Sequence, residues 1–132
     1  ERTSKIRRYA ELFKIVDSLG DLISSYSHGM KQKLALIGAF IHNPKLFVFD
    51  EPLVGLDPEA SFHLKNLMKE ACQNGSAIFF STHVLEVAEK LCDTVSIINN
   101  GKLIASGTME EIKGHHSLED IFMEVVENGK EI

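Results

Sequence analysis

The stretch Leu46-Phe47-Val48-Phe49-Asp50-Glu51-Pro52-Leu53-Val54-Gly55-Leu56-Asp57-Pro58 decides the fold of this chain. Its first part, Leu46 to Phe49, is an unbroken apolar run that suits a strand buried on both faces, as in a parallel sheet. Two acids close the run, and Asp57-Pro58 then supplies a helix cap and a first-turn proline. Open α/β sheets bind ligands at the carboxyl ends of their strands, which is where Asp50 and Glu51 stand. Phosphoryl transfer needs a carboxylate to hold Mg²⁺, usually through its water, and a group to orient the attacking water. Asp50 fits the first task and Glu51 the second. Taken alone, a strand that merely ends in two exposed acids weighs equally.

Downstream, Ala60, Leu64, Leu67, Met68 and Ala71 form a helical stripe that Asn74-Gly75 ends. Ala77 to Phe80 is a second apolar strand, and it leads into Ser81-Thr82-His83. A histidine at a helix start is more often a cap or a surface group. One strand–helix unit after the acid pair, His83 has the further reading of a hydrogen-bond donor to a terminal phosphate or of a group that orients the acid. Val84, Val87, Ala88 and Leu91 predict the next helix, and Thr94 to Ile98 a third strand. Asn100-Gly101 is a hairpin turn before Leu103-Ile104-Ala105. Thr108 with Glu111, and Ser117 with Asp120, read as capping boxes, the second opening a stripe of Leu118, Ile121, Phe122 and Val125.

Upstream, Ile6, Tyr9, Phe13 and Val16 predict an amphipathic helix from Ser4 to Leu19, stopped by Gly20. Ser27 is placed to cap a second helix that ends near His42, before Asn43-Pro44. Free N–H groups and the positive dipole end make a helix start attractive to phosphate. Ser27 adds a hydroxyl there, and Gly29 permits close approach of a ligand. An ordinary serine cap beside a tolerated glycine is the favoured reading of this segment alone. The alternation of strand and helix gives an α/β layer structure with parallel strands at its centre. So few strands leave that sheet unfinished, and further strands are expected before Glu1. Exposed sheet edges invite pairing, so self-association is expected as well.

Together these segments resemble the nucleotide-binding domain of an ATP-binding-cassette (ABC) ATPase, from about Ser24 to Gly114. Tyr26-Ser27-His28-Gly29-Met30 resembles the family's signature, with His28 where glycine is usual and Met30 where glutamine is usual. Leu46 to Asp50 resembles the Walker B strand, Glu51 stands at the catalytic glutamate, Gly55-Leu56-Asp57 resembles the D-loop and His83 matches the switch histidine. The resemblance implies a P-loop NTPase-like parallel sheet with flanking helices. It also implies ATP contacts from Ser27, His28, Gly29, Met30 and Asp57, an Asp50 that serves Mg²⁺ through water, and catalytic roles for Glu51 and His83. Met30-Lys31-Gln32-Lys33 is similar to ATPases of ABC-2 type exporters.

The family's phosphate loop, G-x-x-x-x-G-K-[ST], occurs nowhere in the chain. ATP and Mg²⁺ binding is therefore expected to need that missing segment, and the chain alone is expected to be inactive. The implied partners are a membrane-spanning transporter subunit and a second nucleotide-binding domain, identical or different, at the cytoplasmic face of the membrane. A catalytically inert binding module and a non-transport ATPase of the same superfamily are the alternatives. Residues 1–42 are expected to form part of the helical subdomain, 43–114 part of the ATPase core, and 115–132 a C-terminal helix.

Composition points the same way. The 132 residues are 44% hydrophobic and 25% charged, an ordinary globular balance, and the net charge of −5 argues against nucleic acid as a partner. The longest apolar run, Leu34 to Ile41, is far short of the roughly 20 residues that span a bilayer. The chain begins at Glu1 rather than Met, as expected of a piece of a longer or processed protein. Cys72 and Cys92 lie on predicted apolar stripes and are expected as buried free thiols. His115-His116 reads as a solvated loop, and Arg2, Lys5, Arg7 and Arg8 as a solvated helix face. The tail from Asn128 to Ile132 is expected to fray.

Overall fold

Asp57 accepts a hydrogen bond from the Ala60 N–H at 2.7 Å and Pro58 fills the first turn, so helix α3 (Pro58–Gln73) starts where the sequence predicts. It ends at Asn74, and Gly75 takes the positive φ of +98° that the following turn requires. In the computed structural model, which describes residues 1–128, the chain divides into two units, Glu1–Ser81 and Thr82–Ile132.

The first unit holds α1 (Arg2–Leu12), α2 (His28–Ile41), β1 (Leu46–Asp50), α3 and β2 (Ala77–Ser81). Strands β1 and β2 pair in parallel, in register from Leu46 opposite Ala77 to Asp50 opposite Ser81. Side chains alternate across a strand, so Phe47, Phe49, Ile78 and Phe80 share one face and pack on the core of this unit. Phe40 of α2 stacks on that face, its ring centroid 4.9 Å from that of Phe47. Leu64 and Phe13 are fully buried in the same core, which gives each about 2–3 kcal/mol over exposure.

Both-face burial of β1 is not found. Leu46, Val48 and Phe79 are 58%, 68% and 69% exposed, because the helices of this unit cover only the phenylalanine face. The predicted first helix also stops short, at Leu12 rather than Leu19. Lys14 adopts φ +59°, its N–H bonds the Glu11 carbonyl, and Ile15 N–H bonds the Ala10 carbonyl at 2.9 Å. That is a Schellman ending with lysine in the position glycine usually takes. The turn buries Phe13 and Ile15 together, which offsets the roughly 1–2 kcal/mol of the left-handed residue. Cys72 is exposed on α3 and Cys92 partly buried, so the expected buried thiols are not both found. Cys72 falls one residue beyond the stripe that faces the core. Burial, with a contribution from Asp93, pushes the Cys92 thiol up.

The second unit contains α4 (Leu85–Leu91), β3 (Thr94–Asn99), β4 (Lys102–Thr108), α5 (Met109–Lys113) and α6 (Leu118–Asn128). Strand β3 pairs antiparallel with β4, in a two-stranded sheet of its own. Asn100 and Gly101, both at positive φ, form the tight hairpin that the sequence predicts. Thr108 and Glu111 complete their capping box. Ser117 accepts from the Asp120 N–H at 3.1 Å, as the second box requires of its first member. Ala88, Ile97, Ala105, Ile112, Leu118 and Ile121 make the core of this unit. The expectation of a frayed end past Asn128 lies outside the described residues.

Candidate functional site

Two clusters of the predicted residues form within the first unit. At the carboxyl ends of the parallel strands, Asp50 and Ser81 are register partners on the exposed face. Ser81 Oγ donates to Asp50 Oδ1 at 2.5 Å. The same Oγ accepts from the Glu51 N–H at 3.0 Å, and the Ser81 carbonyl accepts from that N–H at 3.1 Å. Glu51 itself sits at φ +47°, a left-handed conformation that costs a non-glycine residue about 1–2 kcal/mol. The chain turns sharply there, Val54 N–H bonding back to the Glu51 carbonyl at 3.2 Å. The turn lifts Glu51 off the strand line at the position where the acid pair is expected to act.

The second cluster joins the start of α2 to the loop after Glu51. Ser27 caps α2, accepting from the Met30 N–H at 3.2 Å. Gly29 faces the Gly55 carbonyl oxygen so closely that a Cβ on Gly29 would meet it at 2.9 Å. The His28 ring lies against Gly55, its Cδ2 2.9 Å from where a Cβ would stand, and Gly55 has φ +82°. The Met30 side chain packs against the apolar core of the unit, which an apolar residue in the usual glutamine position allows. Gln32 Nε2 donates to the Pro52 carbonyl at 2.9 Å. Lys33, only 14% exposed, brings Nζ to 3.7 Å from Asp57 Oδ2, while Asp57 Oδ1 caps α3. At the start of α3, Lys14 Nζ holds Glu59 at 2.8 Å. This contact keeps the Glu59 carboxyl below the usual carboxylate range and raises Lys14.

The structure thus brings His28 and Gly29 against Gly55, with Ser27 capping the same helix start, and Asp50 together with Glu51 and Ser81. His83 is exposed and falls in the second unit, in the turn before α4. In that unit Lys113 and the Leu118 N–H hold the Glu89 carboxyl below the usual range. Sequence reasoning gives Ser81, Gln32 and Lys33 no contact in the site. Counting the strand register finds Ser81, since a hydroxyl falls directly opposite Asp50. Gln32 and Lys33 have no such signal, because their partners lie across a loop.

No group of three or more His, Cys, Asp or Glu is placed to hold a metal ion among the described residues. Asp50 nevertheless suits a water-mediated contact to Mg²⁺. Its Oδ1 is engaged by Ser81, and Oδ2 belongs to an exposed carboxylate. Ligands beyond this one carboxylate would come from nucleotide and from other protein groups. The start of α2 offers a phosphate Ser27, an exposed hydroxyl residue, and N–H groups at the positive end of a 14-residue helix. Among the described residues no helix is long and apolar enough to cross a membrane.

Residues 5–89, more than half of the chain, match the model of an AAA domain family, whose description also names the AbiEii toxin of a type IV TA system. The ABC-type transporter ATP-binding protein EcsA of Bacillus subtilis (strain 168) is 41% identical over 95 residues, covering 72% of this chain and 38% of EcsA. The ABC transporter ATP-binding protein NatA of the same organism is 32% identical over 121 residues, covering 92% of this chain and 49% of NatA. A solved ATP-binding subunit of an ABC transporter superposes with a TM-score of 0.89 at 33% identity, over 95% of this chain and 54% of that one. The chain spans less than half the length of the curated relatives it matches.

Proposed function

From the premise that the chain belongs to the AAA domain family and corresponds to part of an ABC transporter ATP-binding protein, we propose that it is the catalytic-acid part of an ATPase that drives a membrane transporter. The observation that carries this reading is the acid pair Asp50-Glu51 at the carboxyl end of a parallel strand, in one unit with the capped start of α2 and the Gly55–Asp57 loop. Residues 1–42 then belong to the helical subdomain, 43–114 to the ATPase core and 115–132 to a closing helix.

In this reading Glu51 polarises the attacking water, and Asp50 would serve Mg²⁺ through a water. When bound, the ion neutralises phosphate charge. Ser27 and Gly29 present the α2 start to the terminal phosphate of a nucleotide held by a second such domain. His28, at the rim of that start, and the Met30 backbone line the approach. Asp57 links the two sites across the dimer, and His83 senses the terminal phosphate. Nucleotide binding closes the pair, hydrolysis reopens it, and a membrane-spanning subunit converts that motion into transport. The subunit works peripherally on the cytoplasmic face. The Met30-Lys31-Gln32-Lys33 segment favours an exporter of the ABC-2 type.

One observation favours a second reading of the chain by itself. With no G-x-x-x-x-G-K-[ST] in its 132 residues, it is an inert binding module until the phosphate loop is supplied. Calorimetry of Mg-ATP with this chain, and with a full-length subunit that includes a phosphate loop, tests both. Binding by the long form alone supports the proposal. Tight binding by the 132 residues alone overturns the account of the missing loop.

A further inference from the structure

We propose that Ser81 is a positioning residue that ties the metal-serving carboxylate to the water-orienting glutamate. One hydroxyl makes both contacts: it donates to Asp50 Oδ1 at 2.5 Å and accepts from the Glu51 N–H at 3.0 Å. The two contacts have different consequences. The first fixes the rotation of the Asp50 carboxylate, so that Oδ2 faces one direction. The second, with the Ser81 carbonyl at 3.1 Å from the same N–H, holds Glu51 in its left-handed conformation at φ +47°. Alternation along β2 puts the Ser81 hydroxyl on the Asp50 side of the sheet, and the parallel register sets the two residues opposite each other. Loss of the hydroxyl removes both contacts at once, so a single substitution reaches the two acids together.

This role rests on the nucleotide reading of Asp50 and Glu51. It requires that Ser81 act on metal affinity through Asp50 and on turnover through Glu51, without touching nucleotide. Loss of a hydrogen bond that orients a metal-serving group typically weakens metal affinity or activity about 10–100-fold.

The test compares Ser81→Thr with Ser81→Val in the full-length ATP-binding subunit. The two side chains have nearly the same shape and both suit a strand, so they differ in the hydroxyl alone. Mn²⁺ affinity of the ATP-loaded subunit is read by electron paramagnetic resonance, and kcat and KM for ATP are read separately. Asp50→Asn serves as the control for the reading beneath the proposal. The valine variant is expected to lose about tenfold or more in both Mn²⁺ affinity and kcat, with KM for ATP little changed, while the threonine variant stays near the parent. If Asp50→Asn weakens Mn²⁺ binding but valine and threonine at 81 behave alike, the role of Ser81 is wrong and the nucleotide reading stands. If Asp50→Asn leaves Mn²⁺ affinity at the parental value, the reading of Asp50 fails, and the role of Ser81 with it.

Discussion

The carbonyl oxygen of Gly55 lies 2.9 Å from the point where a Cβ of Gly29 would sit, so the start of α2 and the loop after the acid pair meet backbone to backbone. The contact is reinforced on either side. The His28 ring covers Gly55, and Gln32 reaches the Pro52 carbonyl at 2.9 Å. The signature-like segment and the loop after Glu51, far apart in sequence and suited to different tasks, are therefore one packed body within the first unit.

That contact predicts opposite signs for two glycine substitutions in one helix. Alanine normally stabilises a helix interior by about 0.5–1 kcal/mol over glycine. Gly38, exposed and with nothing within 4 Å of its added Cβ, is expected to show that gain as Gly38→Ala. Gly29→Ala instead pushes a methyl group into backbone, which does not swing aside as a side chain end would. A loss of about 1–3 kcal/mol is expected. Urea denaturation of both variants decides the matter. A Gly29→Ala protein as stable as Gly38→Ala would mean that the loop does not approach α2 this closely.

Asp57 serves two neighbours at once, and they are separable by substitution. Oδ1 caps α3 at 2.7 Å from the Ala60 N–H, while Oδ2 stands 3.7 Å from Lys33 Nζ. Asp57→Ala should cost about 1 kcal/mol, within the range for lost caps. Asp57→Ser keeps an N-cap oxygen and should recover most of that loss, because the pair with Lys33 is partly exposed and worth little. Equal destabilisation by alanine and serine would show that the ion pair, not the cap, holds the helix start.

Local signals in the sequence locate many of these elements, and the exceptions have physical causes. Asp57-Pro58, Thr108 with Glu111, and Asn100-Gly101 each carry a signal tied to backbone chemistry, and each element begins or turns where that signal lies. The end of the first helix is not legible in this way. Lys14 gives no sign of a left-handed turn, and the conformation follows from burying Phe13 and Ile15 against distant residues. An apolar run does not say how many layers cover it, so β1 reads as buried on both faces although Val48 faces outward. The residue types of the candidate site are visible at Asp50 and Glu51. The serine that joins them emerges only from the strand register.

Acid should weaken the second unit through Glu89. In the folded chain Lys113 and the Leu118 N–H hold its carboxyl below the ordinary value of 4.5. A carboxyl with a depressed folded pKa binds its proton more weakly folded than unfolded. Its contribution is therefore full above the unfolded value and is lost as pH falls through the folded one. Urea midpoints of the parent should decline as pH drops from about 5 toward 3, the range in which carboxylates protonate. In Glu89→Gln that part of the decline should be absent, leaving a shallower slope. Parallel slopes in the two proteins would show that the contact with Lys113 does not form in solution.

The uncovered face of the parallel strands makes the last prediction, on association. Val48 and Phe79 are register partners, 68% and 69% exposed, with Leu46 at 58% beside them on the same face. Contiguous exposed apolar surface of this kind marks contact sites or association hazards. The 132-residue chain alone should therefore grow in apparent mass with concentration, above its single-chain 14.7 kDa, in sedimentation velocity. The double variant Val48→Lys with Phe79→Glu places opposite charges across from one another, a pairing that suits facing strand positions but opposes stacking against apolar surface. It should sediment at the single-chain mass with parental helix content by circular dichroism. Loss of helix content in the variant would mean that these side chains are packed in the native chain and not exposed. A parent that stays at 14.7 kDa across the whole concentration series would mean that the bare face does not drive association.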